Sequence, residues 1–375
     1  MIIGIDGNEA NEVSRVGVNQ YAFEVLRGIY KLQDTWSKKH KIIVYLKKTP
    51  ISELPKATNC FEYKVLSGAG NWIIKRLTPH LMFKSPKPDV IFTPSHYVAP
   101  FSLSPRVCTI HDLGYLKFSG QFKKYDYWQL LLWSAYSIFV SKRVIAVSNS
   151  TKDDIVRHYP FARNKVVVTH EAFDSNRFNS SISQEDVRRV KNKYAIVSDY
   201  VLFLGTLKPS KNVESLIEAF SRVIPTFPDI KLVIAGKKGW LYDSIFKKTE
   251  ELGLKNDVVF TDFVLEEDKP GLIKGAKVFV IPSFWEGFGL DALSAMASGV
   301  PVVTSSMGSL PEVVGEAGVY VDPGNIDSIA DGIIKVLSAG KTEYNKLVEK
   351  GLKQVRGFTW NKTAQETLKV LESAK

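Results

Sequence analysis

Cysteine is almost missing from this chain: two residues in 375, Cys60 and Cys108, neither at a metal-ligand spacing. That scarcity argues against a disulfide framework and against structural zinc, and it fits a reducing cytoplasmic compartment. Long apolar runs are scarce too. The longest, Tyr127–Val140, is interrupted by Gln129 and two serines and falls short of the ~20 residues a spanning helix needs. MIIGID, at the start, is short and lacks a basic opening, so it reads as a first buried strand rather than a leader. Acidic charge is thin in the first half: residues 1–200 carry 29 Lys/Arg against 17 Asp/Glu, whereas 201–375 carry 21 against 22. The whole excess behind the net charge of +11 therefore sits in the first half. Such a patch attracts nucleic acid, an anionic membrane face or an acidic acceptor. No nucleic-acid-binding motif accompanies it, and the aromatics fall inside predicted elements rather than between basic residues. A membrane surface or acidic glycan is the expected partner, and nucleic acid is not.

What is present is the pattern of a soluble α/β protein, 45% hydrophobic and 24% charged, too long for one ordinary core. Short β-branched strands are predicted at Ile2–Asp6, His40–Leu46, Cys60–Leu66, Asp89–Phe92, Val107–Ile110, Arg143–Val147 and Lys165–Thr169, with a helix at Asn19–Tyr30. Alternation of this kind makes a doubly wound sheet, whose ligands lie beyond the carboxyl ends of the strands. Gly17, Ser95, His96 and His111 all occupy such loops. Each has a plainer reading, Gly17 as an ordinary turn and His111 as a structural histidine. FDSNRFNSSISQ, Phe173 to about Gln184, is polar and turn-rich and reads as the linker, followed by a helix at Glu185–Tyr194. Two segments have interfacial character. Asn71–Lys84 and Phe122–Arg143 mix large apolar side chains with lysine and arginine, as helices lying on anionic membranes do. For Phe122–Arg143 the expectation is a helix packed on the sheet with its charges solvated; for Asn71–Lys84 both readings stand.

The most informative stretch is VFVIPSFWEGFGLDALSAMASGVPVVT, Val278–Thr304. A strand, Val278–Ile281, runs into a loop, Ser283–Gly289, then a helix from Leu290 to about Ser298 and a further strand, Val300–Thr304. Gly287 and Gly289 permit close backbone approach, and the amides of Gly289 and Leu290 open a helix, a natural seat for phosphate. Glu286 would be repelled by phosphate and suits hydroxyls attached to it, which together describe a phosphorylated sugar. A tight turn with a solvated glutamate is the plainer alternative. In LGTLKPSKNVESLIEAF, Lys211 sits between the strand Tyr200–Leu204 and a helix from about Val213, on the same edge, where an ammonium suits a diphosphate.

WEGFGLDALSAMASGVPVV closely resembles the signature of retaining glycosyltransferases of family 4, the group 1 transferases with the two-domain GT-B fold. TIHDLGY around His111, VGVNQY around Gly17, HEAFDSNRF, SSMGSLPEVVGEAGVYVDP and GFTWNKTAQETLKVLESAK match the family in order. The resemblance is dense from about Tyr200 to Asp327 and looser from Met1 to Phe178. It implies two Rossmann-like doubly wound domains facing across a cleft. Residues 1–180 would bind the acceptor, 181–357 the nucleotide sugar, and 358–375 would form a helix crossing back to the first domain. The donor would meet Gly17, Gly205, Thr206, Lys211, the backbone at Val264, Glu286, Gly287, Phe288, Gly289, Leu290 and Ser294. His111, Lys211 and Glu286 would carry the chemistry. Two positions depart from the family: Ser294 replaces a second glutamate that usually holds the ribose, and Thr206 replaces an arginine that usually accompanies the lysine. Asp291 or water could serve for the first, and Lys208 for the second.

The implied activity is transfer of a hexose from a nucleotide diphosphate sugar to a hydroxyl of a glycan or lipid-linked acceptor, with retention. No D-x-D occurs, so no metal and no cofactor are expected. Lys211, the helix amides and the Gly17 loop would neutralise the leaving phosphate, Glu286 would hold sugar hydroxyls, and His111 would donate to one. The phosphate itself would be the base. LVIAGKKGW and SLPEVVG look most like mannosyltransferases of surface polysaccharide synthesis, favouring GDP-mannose, with UDP-glucose open. Contact with the inner membrane face is the expected association. A nucleotide-sugar epimerase of the same fold and a degenerate subunit that binds without catalysis are the alternatives.

Overall fold

The structure is a computed structural model that describes residues 1–13, 15, 17–239 and 241–375; Ser14, Val16 and Trp240, parts of the VGVNQY approach and the GKKGW loop, lie outside the described residues. The chain divides into two compact units. One comprises Met1–Leu116, Lys124–Glu171 and Thr359–Lys375; the other comprises Lys117–Lys123 and Ala172–Phe358. The division falls after Glu171 rather than at 180. The stretch from Phe173 to about Gln184, expected as a linker, belongs to the second unit, and Arg177 ties it there by pairing with Glu266 at 3.3 Å.

In the first unit seven strands form one parallel sheet: β1 (Ile2–Asp6), β2 (Lys41–Leu46), β3 (Phe61–Val65), β4 (Val90–Thr93), β5 (Arg106–Ile110), β6 (Arg143–Ala146) and β7 (Val166–Val168). Their order is β3-β2-β1-β4-β5-β6-β7, so the connection reverses direction between β1 and β4. The central strands are buried at nearly every position because helices cover both faces. Helix α1 (Val18–Lys31) follows β1 and buries Tyr21, Val25, Leu26 and Ile29. Helix α2 (Lys124–Val140) precedes β6.

The second unit has six parallel strands: β8 (Tyr200–Leu204), β9 (Lys231–Ala235), β10 (Val258–Asp262), β11 (Val278–Ile281), β12 (Val302–Ser305) and β13 (Gly318–Val321), in the order β10-β9-β8-β11-β12-β13. It opens with α3 (Gln184–Lys193), whose first turn is capped by the Ser183 hydroxyl accepting from the Asp186 amide. Helix α4 (Val213–Val223) buries Leu216, Ile217 and Phe220, and α5 (Leu290–Ala297) is almost wholly buried. The last helix, α6 (Trp360–Ser373), belongs to the first unit and packs along α1. Gly28 permits this approach: a Cβ there would lie 2.8 Å from Ala364 Cβ and 3.0 Å from the Trp360 carbonyl.

The two segments with interfacial character both pack on the first sheet and both leave large apolar side chains outside, among them Ile74 and Phe83 in the first. Residues 71–84 fold as a helical pair, Ile73–Leu77 and Thr78–Phe83, that plugs the sheet with Leu77 and Leu81 beside Ile43, Tyr45 and Ile91. The Trp72 indole donates to both oxygens of Asp6 at 3.0–3.1 Å. Helix α2 packs on the sheet as expected, its Ser137 hydroxyl donating to the His96 carbonyl at 2.6 Å, but it does so through its small polar face. It buries only Ser134, Ser137 and Ile138, while Tyr125, Trp128, Leu132 and Phe139 stand between 56% and 77% exposed. Their spacing places them on one stripe, and the small polar serines occupy the inward face. Apolar content alone could not show which side of this helix meets the sheet.

Candidate active site

The carboxyl edge of the second sheet brings two of the expected residues into direct contact. Strand β8 ends at Leu204, Gly205 follows it, and a short turn, Pro209–Lys211, leads through Asn212 into α4. Asn212 adopts the left-handed conformation (φ 58°), and its amide donates to the carbonyls of Pro282 and Pro323 at 3.1 and 2.7 Å. The Phe284 amide donates to the Ser210 carbonyl at 2.9 Å. These bonds hold the loop after β8 against the loop after β11. Lys211 Nζ consequently lies 2.6 Å from Glu286 Oε1 and 2.7 Å from Oε2, with the side chains 16% and 9% exposed. The Ser283 hydroxyl donates to Glu286 Oε1 at 2.7 Å. Sequence reading gave the two side chains separate parts of one ligand; in the structure they are also each other's partners. The ammonium has three donors, so engagement with both oxygens of Glu286 still leaves capacity for an incoming anion.

The backbone of the glutamate loop is held from behind. Ser309 donates from its hydroxyl to the carbonyls of Glu286 and Phe288, at 3.1 and 2.7 Å. Gly308 lies so close that a Cβ would sit 2.6 Å from the Glu286 carbonyl oxygen, at a φ of +61°. Gly289 (φ 100°) then turns the chain into α5, where the amides of Leu290 and Asp291 have no carbonyl four residues back inside the helix. Asp291 lies within the electrostatic reach of Lys211, Glu286, Lys269 and Glu266; burial raises its carboxyl above the usual range, and the lysines oppose that. Ser294 is buried on the same helix. Val264 is buried just after β10. Thr206, Gly287 and Phe288 lie on the two loops already described, with Phe288 packed edge-on to Phe358 at 5.8 Å. Ser283, Ser309 and Gly308 escaped sequence reading, because nothing local marks which small loop residues lie against Glu286. Arg177, Lys269 and Glu266, joined as an ion-pair cluster near Asp291, also escaped it, since their positions are brought together only by the fold.

The first unit has a cluster of its own at the carboxyl edge of its sheet. Gly17 caps α1 with φ 51°, and its carbonyl accepts from the Tyr21 amide at 3.0 Å. His111 follows β5 but departs from the expected free donor. Its Nδ1 lies 2.9 Å from Glu171 Oε1 and its Nε2 lies 3.2 Å from the Pro94 carbonyl oxygen. Burial lowers the affinity of this imidazole for a proton, but the Glu171 carboxylate and the Pro94 carbonyl outweigh it and raise the ring above its ordinary value. Burial instead pushes His96 down to about 4, so that ring is neutral. Ser95 is buried beside it. Asp6, at the end of β1, is raised to about 6 by burial, partly offset by Trp72 and Asn8.

Comparison with known proteins fits this arrangement. Residues 186–354 match the family described as glycosyl transferases group 1, and residues 37–177 match glycosyltransferase family 4. The O-antigen chain mannosyltransferase B of Escherichia coli is 30% identical over 283 residues, covering 75% of this chain and 73% of that protein. An uncharacterized glycosyltransferase of Methanocaldococcus jannaschii is 36% identical over 244 residues, covering 64% and 62%. Among solved structures, sucrose-phosphate synthase from Thermosynechococcus elongatus superposes with a TM-score of 0.75 at 18% identity over 99% of this chain and 98% of that one. Anabaena HepE in complex with UDP-glucose gives 0.73 at 18% identity over 99% of both. The chain therefore belongs to the family 4, group 1 glycosyltransferases, and its fold is GT-B. It is a glycosyltransferase.

Proposed function

We propose that the protein transfers a hexose with retention from a nucleotide diphosphate sugar, mannose from GDP-mannose, to a hydroxyl of a glycan or lipid-linked saccharide in surface polysaccharide synthesis. The observation that carries this reading is the meeting of Lys211, Glu286 and the start of α5 at one sheet edge. An incoming diphosphate takes the remaining donor capacity of Lys211 and the amides of Gly289 and Leu290, while Glu286 keeps its oxygens for sugar hydroxyls. Gly205, Thr206, Val264, Gly287, Phe288 and Ser294 line the donor, and the family resemblance assigns Gly17 to the same ligand. Negative charge grows on the departing phosphate as the glycosidic bond stretches, so fixed donors there stabilise the transition state more than the ground state. The departing phosphate takes the acceptor proton, and the acceptor arrives on the face it leaves. The names of the E. coli relatives, an O-antigen chain mannosyltransferase and serotype-specific mannosyltransferases, support mannose and polysaccharide; the UDP-glucose complex of HepE supports a nucleotide sugar in general.

The acceptor side adds a membrane surface. The exposed stripe Tyr125, Trp128, Leu132 and Phe139 continues onto Phe161, whose ring lies 5.8 Å from that of Phe139. Lys123 and Lys124 stand at one end of the helix, Lys142 and Arg143 at the other, and Lys165 lies 5.4 Å over Phe161. An apolar row with cations at both ends complements an anionic lipid surface. No helix among the described residues is long and apolar enough to cross a membrane.

The test is incubation of the purified protein with radiolabelled GDP-mannose, UDP-glucose and their analogues, with and without lipid-linked acceptor and with and without chelator. Acceptor-dependent, chelator-resistant formation of an α-linked product, read by NMR at the anomeric carbon, is the expected result. Isomerised sugar nucleotide without acceptor marks an epimerase. Binding of nucleotide with no product from any donor marks a non-catalytic subunit.

A further inference from the structure

The hydrogen-bond arithmetic at His111 requires one proton more than a neutral imidazole carries. A carbonyl oxygen only accepts, so the nitrogen facing Pro94 at 3.2 Å must bear a hydrogen. A neutral ring then has only a lone pair on Nδ1, and that lone pair would point at the Glu171 carboxylate from 2.9 Å. The contact is attractive only with a proton between the two atoms. Histidine's ordinary affinity for a proton exceeds that of glutamate by roughly two pH units, which places it on the ring. Glu171 is itself buried, and an ionised carboxylate there requires a cation beside it.

We propose that Glu171 is a positioning residue that locks His111 as an imidazolium, so that the loop after β5 offers a fixed positive charge and has no lone pair with which to act as a base. The catalytic consequence rests on the sugar-transfer reading; the charge state of the ring does not. Every neighbouring element bears on the pair. Glu9, after β1, and Asp112, on the same loop, are acidic groups within electrostatic reach of the ring and favour its charged form. His96, after β4, is held neutral by burial and adds no competing charge at neutral pH. Tyr21 on α1 presents its ring edge-on to His111 at 4.8 Å, and burial keeps its hydroxyl protonated. The Thr151 hydroxyl, after β6, donates to the His111 carbonyl at 3.2 Å and fixes the backbone. A ring charged at neutral pH suits a reaction in which negative charge accumulates on a leaving phosphate, and it leaves proton abstraction to that phosphate.

The experiment is a ring-nitrogen NMR titration of the full chain between pH 6 and 9, together with pH profiles of turnover. In the wild type both nitrogens of His111 are expected to carry hydrogens at pH 7.5, where an ordinary histidine is about nine-tenths neutral. In Glu171→Gln the ring is expected to lose one hydrogen below that pH. The alkaline limb of kcat should then fall by about one pH unit or more, with a roughly tenfold loss at pH 8 and under twofold at pH 6. Glu171→Asp should restore part of both. A singly protonated ring in the wild type at pH 7.5 overturns the proposal without need of any variant or of activity. An unchanged alkaline limb in Glu171→Gln, alongside an altered ring titration, overturns the positioning role. The ring titration does not depend on sugar transfer, so failure of the lock and failure of the transferase reading give separate signatures.

Discussion

Replacing Lys211 by alanine removes the ammonium that bridges both oxygens of Glu286 at 2.6 and 2.7 Å and leaves that carboxylate with the Ser283 hydroxyl. The effect on stability lies between two limits. Exposed pairs contribute about 0–1 kcal/mol, and stranding one member of a buried pair costs about 3–5 kcal/mol. With side chains 16% and 9% exposed, the pair stands between these limits, and a loss of about 2 kcal/mol is expected. For a domain of this size that corresponds to a fall of roughly 4–8 °C in Tm. The effect on turnover is larger, roughly a hundredfold or more, comparable to deleting one oxyanion donor. Glu286→Gln in the Lys211→Ala background removes the stranded charge, so the double variant should recover most of the lost stability and none of the turnover. Differential scanning calorimetry and steady-state kinetics on the four proteins of this cycle separate the two effects. Turnover within about threefold of wild type in Lys211→Ala, with an unshifted Tm, would refute the reasoning.

Other outcomes follow from the same geometry. Gly308→Ala should push the Glu286 backbone, lower stability by about 1–3 kcal/mol and weaken nucleotide binding, measured by denaturant unfolding and calorimetry. Asp6 is raised from 3.8 to about 6, so it binds its proton more tightly when folded. Its contribution to stability is complete below pH 4 and is lost as pH rises through about 6, by at most about 3 kcal/mol; Asp6→Asn should flatten the stability profile across that window. Trp128→Glu combined with Leu132→Glu should abolish flotation with vesicles containing a third phosphatidylglycerol while leaving Tm within a few degrees. Flotation unchanged by the pair of substitutions, or a dimer in solution that they dissociate, would assign the stripe to another occupant.

Much of the fold was legible because buried parallel strands are short runs rich in β-branched residues, and some, such as Tyr200–Leu204 before Gly205 and Val278–Ile281 before Pro282, end at a glycine or proline. The donor loops were legible for a related reason: glycines, a proline and a charged residue at a strand-to-helix turn leave a spaced signature, as in Val278–Thr304. Three features were not legible. The Lys211–Glu286 pair needs the two loops to be tied by Asn212, whose partners lie 70 and 111 residues away. The His111–Glu171 contact spans 60 residues and turns an expected free donor into a committed ring. The orientation of α2 could not be read because serine is small enough to pack inward, leaving the larger apolar side chains outside. In each case the deciding information is which distant segment lies opposite, and local composition does not contain it.

The most direct test of the central claim is calorimetric titration of GDP, GDP-mannose, UDP and UDP-glucose into the wild type and Lys211→Ala. Saturable 1:1 binding of at least one nucleotide diphosphate, weakened about tenfold or more by removing the ammonium, is the expected result. Binding of equal strength in both proteins, or no binding of any nucleotide diphosphate to the wild type, would contradict the assignment of this sheet edge to the donor.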